Sequence, residues 1–191
     1  MKYLFLSLIA LVPLALAQSS NDLPTRYIDY GDCTWYKGSA TSKVNCPAGY
    51  VGTGACANKG QTRCDDSAFT IECCKLRNST ISGACEEKSA DKGRDVQCNS
   101  GSAVFGTCSS LDMSRCDHGG NRKCITINCC PTDLPVDYTS CDWYYKGNQG
   151  ERVQCSRNAG SEQVMTGRCG SETMAQCDGN QVHGIRCCDL V

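Results

Sequence analysis

The phrase Ile-x-Cys-Cys is written three times in this chain, as Ile71-Glu72-Cys73-Cys74, Ile127-Asn128-Cys129-Cys130 and Ile185-Arg186-Cys187-Cys188. The copies recur about every 55 residues, and each closes a block that opens on a lone cysteine and carries three more in between. The first block uses Cys33, Cys46, Cys56, Cys64, Cys73 and Cys74. The second uses Cys85, Cys98, Cys108, Cys116, Cys129 and Cys130, and the third Cys141, Cys155, Cys169, Cys177, Cys187 and Cys188. In every block 7 residues lie between the third and fourth cysteines, while the neighbouring gaps vary from 8 to 13. Constant gaps beside variable ones describe loops hung on a common scaffold.

These cysteines read as disulfides. Zinc sites use cysteine or histidine pairs two to four residues apart, and thiolate-rich metal binders use Cys-x-Cys. No Cys-x-Cys occurs and no set of two such pairs is written as a zinc site requires, so no metal or other cofactor is predicted. Adjacent cysteines seldom bond to each other, because the geometry strains the peptide between them. On an extended strand they point to opposite faces. The closing strand of each block is therefore expected to fasten two different partners, one on each side. Six cysteines allow 15 pairings per block, and spacing alone selects none. The nineteenth cysteine, Cys124, has no counterpart in the other blocks. It reads either as a buried thiol or as an intermolecular bridge that would make a disulfide-linked dimer. A catalytic thiol would need a base beside it, and no motif supplies one.

Oxidised cysteines require an oxidising compartment, and the N-terminus agrees with that. Met1-Lys2-Tyr3 precedes an apolar run from Leu4 to Ala17 that ends in Ala15-Leu16-Ala17. A basic start, a short apolar core and a small-x-small end describe a secretory signal peptide over residues 1–17. The run is shorter than the ~20 residues that span a bilayer. A secreted, extracellular protein without a membrane anchor is expected, with an N-terminal arm at 18–32 and repeats at 33–74, 85–130 and 141–188. The linker after the first repeat carries the sequon Asn78-Ser79-Thr80, which marks Asn78 for N-glycosylation.

Within the blocks, short apolar segments alternate with Gly, Asn, Ser and Asp. Val44-Asn45-Cys46, Val96-Gln97-Cys98 and Val153-Gln154-Cys155 repeat one phrase; Gly54-Ala55-Cys56, Gly106-Thr107-Cys108 and Gly167-Arg168-Cys169 repeat another. This is the pattern of strands joined by turns. Residues 109–116 and 171–177 have room for one helical turn each. The expected fold is all-β and disulfide-rich, with three tandem repeats arranged as beads in a row or as three sheets around a pseudo-threefold axis. Large apolar side chains are scarce, since the 40% hydrophobic fraction includes 19 Cys and aromatics make up 7%. Cross-links of roughly 2–4 kcal/mol each are the usual compensation in small secreted domains.

Charge is balanced, 19 Lys and Arg against 20 Asp and Glu. No basic stripe suits nucleic acid or an anionic membrane. Enzyme motifs are absent: there is no Gly-x-Ser-x-Gly, no His-Glu-x-x-His and no phosphate loop, and His118 and His183 are the only histidines. No enzyme is expected. Asp65, Asp117 and Asp178 each follow the fourth cysteine of a block, either as turn caps or as a thrice-repeated contact to calcium or sugar hydroxyls. Trp35-Tyr36 and Trp143-Tyr144 follow the opening cysteine of the first and third blocks, where the middle block has Glu87-Lys88. Such a Trp either fills a scarce core or stacks on a sugar ring.

The order Cys46-Pro47-Ala48-Gly49-Tyr50, then Gly54, then Ile71-Glu72-Cys73-Cys74 resembles the repeats of dermatopontin-like matrix proteins and of vitelline membrane outer layer proteins. So does Val153-Gln154-Cys155 through Gly184-Ile185-Arg186-Cys187-Cys188. The resemblance covers residues 33–188 and implies three sheets in a β-prism. Three-finger toxins share an apolar-x-Cys-Cys phrase, but their closing Cys-Asn is missing: Cys74 leads into Lys75-Leu76 and Cys188 into Asp189-Leu190. The expected role is extracellular binding or structure in a matrix, egg coat, mucus or secretion, with glycans or matrix proteins as partners. The alternative is a defensive or venom effector such as a toxin or a protease inhibitor, with Asn121-Arg122-Lys123 as its loop.

Overall fold

The computed structural model describes residues 26–39, 42–57, 64, 67, 69–91, 94–109, 116, 125–146, 150–158, 161–170, 177 and 183–191. Residues 1–17, the arm before residue 26, Asp65, Asp117, His118, Asn121-Arg122-Lys123, Cys124 and Asp178 lie outside them, as do most of 109–116 and 171–177. The described residues form strands and no helix. Each block supplies four strands. The first has β1 (Ile28–Gly38), β2 (Val44–Asn45), β3 (Tyr50–Ala57) and β4 (Phe69–Leu76). The second has β5 (Glu86–Ala90), β6 (Asp95–Gln97), β7 (Ser102–Ser109) and β8 (Ile125–Pro131). The third has β9 (Val136–Lys146), β10 (Val153–Gln154), β11 (Gln163–Gly170) and β12 (His183–Leu190). β1 begins inside the stretch read as the N-terminal arm: Ile28 pairs with Leu76 and is fully buried, so an apolar side chain extends the strand backwards.

The turns that start β3 and β7 are set by glycine. Tyr50 N donates to Pro47 O (3.1 Å) and Ser102 N to Asn99 O (3.1 Å). The third residue of each turn, Gly49 or Gly101, has φ of 80° or 83°, where a side chain would be strained.

Three four-stranded antiparallel sheets result, in the orders β1-β4-β3-β10, β2-β7-β8-β5 and β6-β11-β12-β9. Each sheet takes three strands from one block and a short fourth strand from another. β2 of the first block joins the second block's sheet, β6 of the second joins the third, and β10 of the third joins the first. The pairing continues one residue past each short strand. Cys46 N donates to Phe105 O (2.7 Å), Cys98 N to Thr166 O (2.8 Å) and Cys155 N to Thr53 O (2.8 Å). Blocks folded as separate beads would not share sheets in this way.

The Ile-x-Cys-Cys strands β4, β8 and β12 are interior strands of their sheets. Their first cysteines turn inward, to Cys46–Cys73, Cys98–Cys129 and Cys155–Cys187. Their second cysteines bond to the opening cysteines, as Cys33–Cys74, Cys85–Cys130 and Cys141–Cys188, with Cα atoms 4.0, 4.1 and 4.0 Å apart. The remaining bridges, Cys56–Cys64, Cys108–Cys116 and Cys169–Cys177, each close a short loop after β3, β7 or β11. The inward bridges meet Ile71, Ile127 and Ile185, with Val96, Val104, Val153 and Met165, in one core fed by all three sheets. A second cluster holds Ile28, Val51, Leu76, Ala103, Phe105, Leu134 and Val164 together with Cys74 and Cys130. In the first two blocks the adjacent cysteines thus anchor in different apolar clusters.

Candidate functional site

Strand alternation decides which side chains face away from this core. In β4, Ile71 and Cys73 belong to the core, so Glu72 between them points outward; Asn128 and Arg186 do the same in β8 and β12. Tyr36 and Tyr144 pack on the core, which turns the half-buried Trp35 and Trp143 to the outer faces. The tyrosine of each Trp-Tyr pair therefore fills the interior.

Registers then line up one row across each outer face. The first sheet has Trp35, Glu72, Gly54 and Gln154. The second has Glu87, Asn128, Gly106 and Asn45. The third has Trp143, Arg186, Gly167 and Gln97. The glycine in each row sits at a register shift and under the borrowed strand. A Cβ there would come within 2.9 Å of Val153 O at Gly54, 2.9 Å of Val44 O at Gly106 and 2.8 Å of Val96 O at Gly167. The Gly-x-Cys phrase marks where one block must lie against another.

The three rows carry different chemistry. In the first, Glu72 is nearly inaccessible, yet it is fully engaged. Thr53 Oγ1 donates to it at 2.9 Å, Gln154 Nε2 at 2.8 Å, and Arg157 forms an ion pair with it. Arg152 lies over the Trp35 ring, 4.5 Å from its centroid, in cation–π geometry. Arg157 approaches the Tyr30 ring at 5.5 Å. Burial above all holds the Tyr30 hydroxyl protonated, up to about 12.

In the second row Lys43 and Glu87 are ion-paired, and Asn128 Nδ2 donates to Asn45 Oδ1 at 3.4 Å. These four residues, with Thr126, surround a depression of about 100 Å³. In the third row Trp143 and Tyr145 stack with centroids 5.6 Å apart and planes 14° from parallel. Tyr145 lies over Gly184, where a Cβ would come within 2.8 Å of Tyr145 Cε1. Arg186 Nη1 reaches Thr166 Oγ1 at 3.5 Å, and among the described residues no carboxylate pairs with it.

The interior holds a second polar group that sequence reasoning missed. Arg168 and His183 are fully buried on the third sheet. Their positions correspond to Ala55 and Phe69 in the first block and to Thr107 and Ile125 in the second. Arg168 Nη1 donates to Thr107 Oγ1 at 2.9 Å, while among the described residues its Nε and Nη2 have no hydrogen-bond partner, and the His183 nitrogens have none of good geometry, the Glu151 backbone being the polar group nearest to bonding them. Burial lowers the Arg168 guanidinium to about 10. Burial, with the Arg168 charge adding to it, lowers the His183 imidazole to about 3.

Asn78 is exposed, with φ 57°, in the turn after β4, and Thr80 N donates to Asp133 Oδ1 at 2.8 Å. Among the described residues Cys33, Glu72 and Cys74 form one group of metal-ligand types, but both sulfurs are spent in a disulfide. No helix of the described residues is long and apolar enough to cross a membrane. No family model, curated protein or solved structure matches this chain. Its own chemistry is that of an all-β, disulfide-stabilised protein, and nine bridges fit an oxidising, extracellular setting.

Proposed function

We propose that the protein is a secreted extracellular binding protein whose three sheets form the sides of a β-prism with pseudo-threefold symmetry, and that its outer faces take saccharides of a matrix, coat or mucus. The observation that carries this reading is the outward placement of Trp35 and Trp143. Each stands in a row with hydrogen-bonding side chains, on strands fixed by disulfides. A ring that stacks on a sugar contributes most when it is rigid, because little freedom is lost on binding. A cyclic exchange of strands supports the prism: it lets three weak faces share one stiff body, and weak sites so linked gain avidity. The proposal is tested by binding the secreted, oxidised protein to immobilised polysaccharides and extracellular-matrix glycans, alongside Trp35→Ala and Trp143→Ala. Retention that weakens in either variant supports it. Retention by no polysaccharide, or retention indifferent to both substitutions, removes it.

A further inference from the structure

The three outer rows differ most at their centre, where the Ile-x-Cys-Cys phrase places Glu72, Asn128 and Arg186. Glu72 is neutralised by Arg157, a residue that arrives two positions after Cys155 on the borrowed segment. The corresponding residue of the segment lent to the third sheet, two positions after Cys98, is Ser100, which carries no charge. Across the strand from Arg186 is Trp143, stacked on Tyr145. On its other side Gly167 brings the stems of Arg186 and Gln97 close together: a Cβ there would lie 3.2 Å from Arg186 Cβ and 3.3 Å from Gln97 Cγ, so the two polar side chains flank one narrow, side-chain-free position. Arg186 is half-buried, yet among the described residues one hydroxyl at 3.5 Å is the only polar side-chain contact of its guanidinium. A guanidinium has five donors in a rigid fork suited to a carboxylate or sulfate.

We infer that the third sheet's outer face is an acidic-saccharide site. Its sugar ring rests against the Trp143–Tyr145 pair, and its carboxylate or sulfate is held by Arg186, with Gln97 within the same row for a hydroxyl. The inference rests on the saccharide reading above and sharpens it to one face and one ligand class. The first sheet lacks this capacity, because both arginines beside its row are committed, Arg157 to Glu72 and Arg152 to the Trp35 ring. The second lacks an aromatic, and its Lys43 is committed to Glu87.

The test measures binding of the full-length oxidised protein to three oligosaccharides of matched length: one bearing glucuronate, one bearing sulfate and one neutral. Wild type, Arg186→Gln, Trp143→Ala and the charge control Lys37→Gln are compared, each checked for an unchanged melting curve. The expected result is preference for an acidic ligand, lost by about tenfold or more in Arg186→Gln, the worth of one charged hydrogen bond. Binding of the neutral ligand should be unchanged in that variant, and Lys37→Gln should behave as wild type. Trp143→Ala should weaken acidic and neutral ligands alike. Equal affinity for acidic and neutral ligands, or an acidic preference that survives Arg186→Gln, overturns the inference and leaves the saccharide reading standing. An equal loss in Lys37→Gln also overturns it, since net charge alone would then explain the preference. No binding of any of the three, with no retention on polysaccharide, overturns both.

Discussion

Cys46 is bonded to Cys73, yet the two residues belong to different sheets. Cys46 leaves β2 at the edge of the second block's sheet, where its N–H donates to Phe105 O. Cys73 sits in β4, inside the first block's sheet. Cys98–Cys129 joins the second sheet to the third in the same way, and Cys155–Cys187 joins the third to the first. The bridges stay within a block along the sequence and cross between sheets in space. A borrowed strand of two or three residues has few backbone bonds to hold it. A covalent tie into the core fixes where it lies, and with it the outer row to which it contributes.

The inward bridges should therefore matter for more than chain entropy. Cys46 and Cys73 are 27 residues apart and Cys56 and Cys64 are 8 apart. Loop entropy alone makes the first worth ~3–4 kcal/mol and the second ~2–3 kcal/mol. Replacing Cys46 and Cys73 by Ala should also collapse hydrogen-exchange protection at Val44, Asn45 and the facing part of β7. Replacing Cys56 and Cys64 should leave it intact. Equal loss of β2 protection in both variants would show that the inter-sheet tie does not hold the strand.

The row glycines give a second expectation. Gly167→Ala places a methyl against the Val96 carbonyl, and Gly54→Ala does so against Val153. Backbone oxygen cannot rotate away as a side chain can, so overpacking should cost on the order of 1–3 kcal/mol at each site. Gly83→Ala is the control, since its nearest neighbour would be Pro131 Cγ at an ordinary 3.5 Å. Denaturant unfolding of the three variants measures this. A Gly167→Ala protein as stable as Gly83→Ala would mean that the borrowed strand lies elsewhere.

Much of this was legible in the sequence, for identifiable reasons. Ile71-Glu72-Cys73-Cys74 announces a strand with two covalent anchors, because alternation forces adjacent cysteines apart. Glycine after Cys46-Pro47-Ala48 announces a turn. The borrowed strands were not legible. Val-x-Cys reads as local, and a two-residue strand has no period that names its partner. Trp35-Tyr36 was ambiguous because both residues are aromatic, and only the core could choose which turns inward. Arg168 and His183 were invisible as interior groups, since the equivalent Ala55 and Phe69 obey the apolar rule that these two break.

The Glu72–Arg157 pair is an inter-block contact under a sheet surface. The Glu72 side chain is 3% exposed and that of Arg157 34% exposed. Arg157→Met should be destabilising by ~3 kcal/mol, because it leaves a buried carboxylate with only neutral donors. Adding Glu72→Gln should recover most of that loss, since the amide can still bond to Thr53 or Gln154. A double-mutant cycle by chemical denaturation measures the coupling. If the double variant is no more stable than Arg157→Met, the cost lies in lost packing over Tyr30 and not in the stranded charge.

His183 should make the fold acid-sensitive in a defined window. The unfolded imidazole takes up its proton near pH 6.5. The folded one resists until about pH 3, chiefly because it is buried and secondarily because Arg168 is close. Its folded pKa is lowered, so its neutral form contributes stability that is fully present above pH 6.5. That stability is lost as pH falls toward 3, where only the unfolded chain binds the proton. The slope from this one group is on the order of 1 kcal/mol per pH unit across the window. His183→Leu, apolar like the equivalent Phe69 and Ile125, should remove that slope and leave the carboxylate contribution below about pH 5 in place. Arg168→Met should act partway: with the neighbouring charge gone, His183 accepts its proton at higher pH and the window narrows from below. Unfolding free energies at pH 7, 6, 5 and 4 for the three proteins decide it. Parallel profiles for wild type and His183→Leu between pH 6 and 5 would show that the imidazole is not held neutral in the fold.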